Sequence, residues 1–250
     1  MHSISKISVI TVVYNGKSLI ERTIKSVLTQ SYKNIEYIII DGLSIDGTIE
    51  VINNYRAAVS IIISEKDKGI YDAMNKGLEK ATGDYVLFLN AGDELYDKNV
   101  MSTVFNPSVD ADVYYGSAMV VDKNGIELGE RRLMPSEKLS WTSLKFGMCV
   151  SHQSFIARRS LCKSYDLRYE IASDIDWVIN VLKQAHKIEN TKLIVSKYLE
   201  GGTSAKKKKK ALIERFAILK KHYGIYVTLF SHLVILLRYP IHLLTKKNMT

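Results

Sequence analysis

Gly83-Asp84-Tyr85-Val86-Leu87-Phe88-Leu89-Asn90-Ala91-Gly92-Asp93-Glu94 is the stretch on which the fold turns. Tyr85 to Leu89 is a short apolar run between Gly83 and Gly92, the pattern of a strand covered on both faces. It then presents Asp93 and Glu94. Open α/β sheets place ligand chemistry at the carboxyl ends of central strands. A hard cation takes carboxylate oxygen there and shares its other positions with substrate phosphates. Alone, the segment reads equally as a strand and an ordinary polar turn, so its neighbours decide.

Upstream, Lys6 to Val13 is β-branched and mostly apolar, a first strand ended by Tyr14-Asn15-Gly16. Ser18-Leu19-Ile20-Glu21 has the form of a capping box, and Ile20, Ile24, Val27 and Leu28 recur at helical spacing. Glu36 to Ile40 is a second strand, followed by the Asp-, Ser- and Gly-dense turn Asp41 to Thr48 and a helix start with Val51 and Ile52. Val59 to Ser64 is a third strand. Ile70, Ala73, Met74, Gly77, Leu78 and Ala81 trace one helix face. The first hundred residues therefore read β-α-β-α-β-α-β, a parallel sheet with helices on both faces. Right-handed crossovers bring Tyr14-Asn15, Asp41 to Asp46, Glu65 to Gly69 and Asn90 to Asp93 to one edge. Each loop alone is a default turn; four on one rim make a site.

Downstream, Asp110 to Asp122 is a strand with Lys123-Asn124-Gly125 as a hairpin turn, and Gly129 to Pro135 continues irregularly. Val150 to Arg158 reads as a strand that carries His152 inward or toward the rim. Ser173 caps a helix bearing Asp174, Asp176 and Trp177, with Val178, Val181, Leu182 and Ala185 on its apolar face. Leu193 to Tyr198 is a last strand and Gly201-Gly202 a hinge. A hydrophobic fraction of 46% suffices for a core. Cys149 and Cys162 form no ligand cluster, which fits a reducing compartment and argues against a disulfide scaffold or a zinc site. Ile7 to Val13 is too short, and lacks the flanks, to be a signal peptide.

The net charge of +9 is uneven. Residues 206–250 hold eleven Lys/Arg against one Glu, +10, while the 24 basic and 25 acidic residues before them leave −1. A nucleic-acid reader carries its positive charge on the folded domain more often, so nucleic acid is not expected as a partner. The chain divides into a body, 1–204, and a basic, apolar helical tail, 205–250. Lys206 to Lys210 precedes an apolar run, Ile225 to Leu237, extended by Ile241, Leu243 and Leu244. A bilayer span needs roughly 20 apolar residues, and this run is shorter. Lysines beside such a segment attract anionic lipid, so the tail reads as a membrane-surface segment, against the alternative of a helix packed back on the body.

The motifs resemble those of the family 2 glycosyltransferases. Val9-Ile10-Thr11-Val12-Val13-Tyr14-Asn15 resembles the family's opening strand. Ile40-Asp41-Gly42-Leu43-Ser44-Ile45-Asp46-Gly47-Thr48 is similar to its D-D/G-x-S-x-D-G-T turn. Asp72 to Gly77 with Ala81 to Tyr85 is similar to its N-K-G…A-x-G-D/E-Y stretch. Asn90-Ala91-Gly92-Asp93 looks like its D-A-D-D metal motif, and His152-Gln153 and Ser173-Asp174 look like its later H-Q and E-D positions. The likeness covers roughly residues 6 to 200; each motif is weak, but six in order are specific. It implies a GT-A fold, with a mostly parallel central sheet, and transfer of a sugar from a UDP- or GDP-linked donor to an acceptor hydroxyl. On that resemblance Thr11, Tyr14, Asn15 and Asp41 border the base and ribose. Asp93 binds the Mg²⁺ or Mn²⁺ that holds the diphosphate, and Asp174 is the general base of an inverting displacement. The implied setting is bacterial cell-surface polysaccharide synthesis on the cytoplasmic face of a membrane, with a lipid-linked acceptor.

The departures matter. Asn90 and Gly92 replace two acidic positions, which leaves Asp93 as the anionic ligand. Ser173 replaces the usual Glu. Asp176 competes with Asp174, which is favoured because it holds the E-D position. His152 either approaches the diphosphate or metal, or is a hydrogen-bonded core residue. Trp177 either stacks on an acceptor sugar or anchors its helix. The absence of Gln-x-x-Arg-Trp argues for one sugar added per encounter. Rival readings are a non-catalytic nucleotide-sugar-binding protein, suggested by the thin metal motif, and a sugar nucleotidyltransferase, for which Tyr14-Asn15-Gly16-Lys17 is a poor match.

Overall fold

The computed structural model describes residues 4–105, 109–131, 133–201 and 207–247, with side chains in the last stretch described to Ile235 and at Leu237. The parallel half of the sheet is β1 (Ile7–Val13), β2 (Ile35–Asp41), β3 (Ile61–Ser64) and β4 (Tyr85–Phe88), in the order β3-β2-β1-β4. The connections are α1 (Lys17–Leu28), α2 (Thr48–Asn53) and α3 (Ile70–Lys80). After β4 come β5 (Glu94–Leu95), α4 (Val100–Val104), the hairpin β6 (Val113–Val121) and β7 (Glu127–Glu130), β8 (Phe155–Arg158), α5 (Ser173–Gln184) and β9 (Ile188–Leu199). The sheet continues β4-β8-β6-β9-β5 with β7 on β6. Here β8 runs antiparallel to both β4 and β6, and β9 parallel to β6. A parallel neighbour needs a crossover of a dozen or more residues, usually a helix. Between β7 and β8 the described chain makes only short 3-10 turns, and β8 returns antiparallel.

β1 lies at the centre because all seven of its residues are buried. Its alternate residues feed two cores: Val9 and Val13 face α1, while Ile10 and Val12 face α3 and α5. Val9 sits opposite Tyr37 of β2 and Leu87 of β4. A Cβ on Gly77 would lie 2.4 Å from Ile10 Cγ2, so glycine lets α3 lie close on β1.

One buried carboxylate ties the amino-terminal edges of these strands. Glu36 accepts from Lys6 Nζ at 2.7 Å, Ser8 Oγ at 2.6 Å and the Thr82 amide at 2.7 Å. Burial works against its charge, but these donors pull its pKa down to about 2. A depressed carboxylate contributes stability above its unfolded pKa and loses it as pH falls through the folded one. Glu36→Gln is expected to cost about 2 kcal/mol at pH 7 and to flatten the loss of stability between about pH 4.5 and 2. Urea unfolding across that range checks it; an unchanged acid limb would remove Glu36 as its source.

Three local expectations are corrected. The Ser18 capping box does not form, because α1 starts at Lys17 after Gly16. Its first donors are met instead by the next loop: Gly16 N–H donates to Thr48 Oγ1 at 2.9 Å and Lys17 N–H to Asp46 Oδ2 at 3.1 Å. Ser173 is the first residue of α5 rather than its cap, and its hydroxyl donates to the Asp166 carbonyl at 3.0 Å. The segment 150–158 is not one strand: His152–Ser154 is a 3-10 turn, and only Phe155–Arg158 pairs. Gly202 and Lys206, from the expected hinge and lysine run, lie outside the described residues, as do the side chains of Ile241, Leu243 and Leu244.

The tail is helical, α6 (Lys208–Lys247), broken at Gly224 with φ 80° and ψ 168°. The first arm packs on the body through buried Ile218 and Leu219, and Tyr223 stacks on Trp141. The break brings the second arm back beside the first, with the His232 ring 5.1 Å from Phe216. This arm is inside out. Thr228 and Ser231 are buried, while Tyr226, Leu229, Phe230, Leu233 and Leu237 form an outward stripe, each more than half exposed. Among the described residues no helix is long and apolar enough to cross a membrane.

Candidate active site

A cleft of about 330 Å³ opens at the carboxyl ends of β1 and β4, where the strand-loop pattern put it. Two of the converging loops hold each other. Asn15, at φ 50°, donates its N–H to Ser44 Oγ at 2.8 Å and accepts from the Ile45 N–H at 3.0 Å. Tyr14 and Asn15 line the cleft, with Tyr14 64% exposed on its rim. The other two residues of the expected base-and-ribose set are not among its lining. Thr11 points into the α1 side of the core, fully buried, its hydroxyl 3.1 Å from that of Tyr37. Side-chain alternation explains this placement, since residues 9, 11 and 13 share one face of β1. Asp41 is fully buried; its carboxylate accepts from Ser44 and, at 2.6 Å, from Ser64, and braces the loop from within.

Asp93 reaches the cleft from the turn after β4. Gly92 makes that turn at φ 99°, and a Cβ there would meet Leu199 Cδ2 at 2.7 Å. An aspartate at this position would be strained and crowded, which accounts for one departure from the acidic motif. Asp93 accepts from the Leu199 N–H at 2.9 Å and from Gln153 Nε2 at 2.7 Å. Burial outweighs these donors and raises its pKa to about 6. Asn90 also lines the cleft; its Nδ2 lies 3.1 Å from His152 Nε2, and its buried Oδ1 has no hydrogen-bond partner.

His152 bridges the two chemical centres. Its Nδ1 lies 3.4 Å from Asp174 Oδ2, on the opposite side of the ring from Asn90. Asp174 enters from the first turn of α5 and accepts from the Ile175 N–H at 3.0 Å, with the Tyr71 hydroxyl 3.1 Å away. Burial disfavours its charge, but His152, Tyr71 and Ile175 together hold the carboxyl below the ordinary range.

Asp176 and Trp177 do not face the cleft. The helical turn carries Asp176 away from Asp174 onto α6, where it pairs with Lys221 at 2.8 Å and His222 at 2.7 Å. Trp177 is core. Its indole donates to the Lys163 carbonyl at 2.8 Å, and its ring stacks on Tyr165. Of the three residues, Asp174 alone lines the cleft.

Several cleft residues carried no local signal. Tyr71 reads as one more apolar position of α3. Glu170 lines the cleft and pairs with Lys207 and Lys210 of the lysine run. Glu214, on the first arm of α6, accepts from the N–H groups of Glu170, Ile171 and Ala172 at 3.0, 2.8 and 3.0 Å. The tail thus fixes the loop that delivers Asp174. Arg131 lines the cleft from a stretch read as irregular.

Among the described residues no group of three or more His, Cys, Asp or Glu could hold a metal. The Asp93 carboxylate and the unpartnered Asn90 oxygen give a partial oxygen donor set. That fits a cation of the Mg²⁺ type, which binds through one or two carboxylates and completes its shell with water and substrate phosphate.

The cleft thus holds the buried carboxylate of Asp93 and a second carboxylate, Asp174, across an imidazole from Asn90. The profile of the family described as Glycosyl transferase family 2 matches residues 8–165. The chain is 27% identical over 211 residues to the "PGL/p-HBAD biosynthesis glycosyltransferase" of Mycobacterium bovis, with 78% of this chain and 77% of that one covered. It is 27% identical over 216 residues to the Escherichia coli "UDP-Glc:alpha-D-GlcNAc-diphosphoundecaprenol beta-1,3-glucosyltransferase WfaP", with 86% and 85% covered. In fold it is similar to Staphylococcus aureus TarS 1–349 in complex with UDP, with a TM-score of 0.66 at 18% identity; the match covers 86% of this chain but 64% of that one. The mannosyltransferase PcManGT of Pyrobaculum calidifontis, in complex with GDP-Man and Mn²⁺, gives a TM-score of 0.64 at 17% identity, with 86% and 64% covered. Its fold is that of the GT-A glycosyltransferases, and with a profile matching more than half of its length the chain belongs to glycosyl transferase family 2.

Proposed function

We infer that this glycosyltransferase moves one sugar from a nucleotide-sugar donor to a hydroxyl of a lipid-linked acceptor, with inversion. The observation that carries the reading is the pair Asp93 and Asp174 in one cleft, with His152 between Asp174 and Asn90. Tyr14 and Asn15 receive the nucleotide. Asp93, with the Asn90 oxygen, would hold a divalent cation. When bound, that ion offsets the negative charge that builds on the departing diphosphate. Asp174 takes the proton of the acceptor hydroxyl as its oxygen bonds to the anomeric carbon. The carbon–oxygen bond to the diphosphate breaks on the opposite face, and its electron pair leaves with the nucleoside diphosphate. His152 orients Asp174 and sustains its ionised form. One base suffices for this single displacement. The name of the WfaP relative, whose acceptor is a diphosphoundecaprenol-linked sugar, supports the acceptor class.

The test is a UDP- and GDP-sugar panel with Mg²⁺ or Mn²⁺ and a prenyl-diphosphate-linked GlcNAc acceptor, read by released nucleoside diphosphate and product stereochemistry. One donor turned over, with an inverted linkage, is expected. Retained stereochemistry would overturn the mechanism, and tight donor binding without release would favour a non-catalytic binder.

The same reading places the protein on an anionic membrane surface. Its support is the outward apolar stripe on the second arm of α6, with the exposed Lys208, Lys209 and Lys220 on the first. Apolar burial plus lysine attraction is the interfacial mode of binding. Sedimentation with phosphatidylglycerol vesicles is expected to fall at least about tenfold in Leu229→Ser/Phe230→Ser/Leu233→Ser, and to weaken with salt. Equal binding to neutral phosphatidylcholine would remove the charge contribution.

A further inference from the structure

Arg131, which follows β7, is the single lysine or arginine among the described residues that line the cleft. It shares that lining with three carboxylates, those of Asp93, Glu170 and Asp174. Arg22, Arg158 and Arg168 are each paired with a carboxylate. Among the described residues no carboxylate pairs with Arg131, and its Nη1 is buried with no hydrogen-bond partner. A guanidinium N–H that is dry and unpaired is costly. An anion in the cleft with several acceptor oxygens relieves that cost, and the guanidinium fork matches phosphate oxygens.

The edge of β6 places Arg131 beside one particular group of cleft residues. β9 runs along one edge of β6; β8 and β7 share the other, β8 on Val113–Tyr115 and β7 on Met119–Val121. The register of the hairpin sets Arg131 opposite Ala118, and the Arg131 N–H donates to the Ala118 carbonyl at 2.9 Å. The preceding carbonyl, of Ser117, accepts from Ser154 Oγ at 2.8 Å. Arg131 and the His152–Ser154 turn are therefore fastened to successive residues of β6. That turn reaches the end of β4: Gln153 Nε2 donates to Asp93 at 2.7 Å, and His152 Nε2 lies 3.1 Å from Asn90 Nδ2. Across β6, Ala118 pairs with Ser196 of β9, whose hydroxyl lies 2.7 Å from that of Ser154. Residues directly opposite one another share a face of the sheet. The Arg131 side chain therefore stands on the face where Ser154 and Ser196 meet, the face of the cleft-lining Tyr198.

We propose that Arg131 is a further catalytic residue, whose guanidinium donates hydrogen bonds to the diphosphate of the donor and holds the charge that builds on it as the sugar departs. This rests on the reading of the donor as a nucleoside diphosphate sugar. The diphosphate gains a negative charge when its bond to the anomeric carbon breaks, and a contact that strengthens as charge develops lowers the barrier. With Asn90 and Gly92 at two positions of the acidic motif, Asp93 is the one carboxylate of that turn to line the cleft. A fixed cation from β7 adds positive charge where the motif is thin.

The test is calorimetric titration of the full chain with UDP, GDP, uridine and guanosine, in Mn²⁺ and in EDTA, for the parent, Arg131→Gln and Arg131→Lys. The parent is expected to prefer one nucleoside diphosphate over its nucleoside in both conditions. In Arg131→Gln that preference is expected to fall at least about tenfold, with nucleoside affinity within about twofold of the parent. Arg131→Lys keeps the charge but not the fork, and is expected to recover only part. Thermal melting identifies a variant that has failed to fold, and Arg131→Lys then carries the comparison. Turnover is the second readout: with prenyl-diphosphate-linked GlcNAc, kcat is expected to fall at least about tenfold in Arg131→Gln while the acceptor KM stays within about twofold. A preference for the diphosphate that neither substitution alters would overturn the proposal and leave the donor reading intact. So would a change confined to the acceptor KM, which would assign the guanidinium to a phosphate of the acceptor. A parent that binds neither UDP nor GDP would reject the donor reading, and the proposal with it.

Discussion

Asp174→Asn is expected to lower kcat by roughly a thousandfold, the middle of the range for a positioned general base. The substitution keeps the shape and the contact with the Ile175 N–H but removes the proton acceptor. Donor affinity is expected to stay within about twofold of the parent, because Asp174 makes no contact with Asn15 or Asp93 and Asn90 lies across His152 from it. Initial rates and calorimetric donor binding check the two halves separately. Asp176→Asn is the control. Its carboxylate faces Lys221 and His222, so it should loosen α6 and lower the melting temperature rather than abolish chemistry. If Asp176→Asn lost catalysis and Asp174→Asn did not, the assignment would be reversed. The Asp174 carboxyl is held below the ordinary range, so it is ionised at every pH at which an unperturbed aspartate would be. No loss of kcat from its protonation is therefore expected at neutral pH.

Asp93→Asn is expected to cut kcat/KM at least about a hundredfold and to abolish the metal dependence of donor binding. The loss is of the order seen when a fixed electrostatic contact to a developing charge is removed. Its signature is a rise in stability beside the loss of activity. A buried carboxylate with its pKa raised to about 6 is stabilised in its protonated form. Its contribution is complete below the unfolded pKa and is lost as pH rises through about 6. At pH 8 the metal-free parent therefore keeps a buried charge that Asn lacks. The variant should melt at or above the parent there, and the difference should shrink toward pH 4. A variant that melts well below the parent at pH 8 would mean that the bonds to Leu199 and Gln153 dominate, and that the carboxylate is structural.

The parallel half of the fold was legible because its strands are buried on both faces, and such strands must be written as apolar runs. Ile7–Val13, Ile35–Asp41 and Tyr85–Phe88 carry that pattern. The loop rim followed from chain chirality, and Asp93 and Asp174 from motif order. The strand direction of Phe155–Arg158 was not legible, since a short apolar run has the same pattern in either direction. Nor was the fate of Thr11, whose hydroxyl suits a ligand or Tyr37 equally well until the face of β1 is known.

By itself, then, the sequence determined the alternating sheet, the edge on which the cleft opens and the two carboxylates that face it. Local periodicity and local motif order carry that information. Only the tertiary structure decided that Asp176 pairs with α6, that Trp177 is core and that Glu214 holds the loop before Asp174. Those relations join residues as much as 46 positions apart, and such contacts are set by how helices and strands pack, which no window of sequence contains.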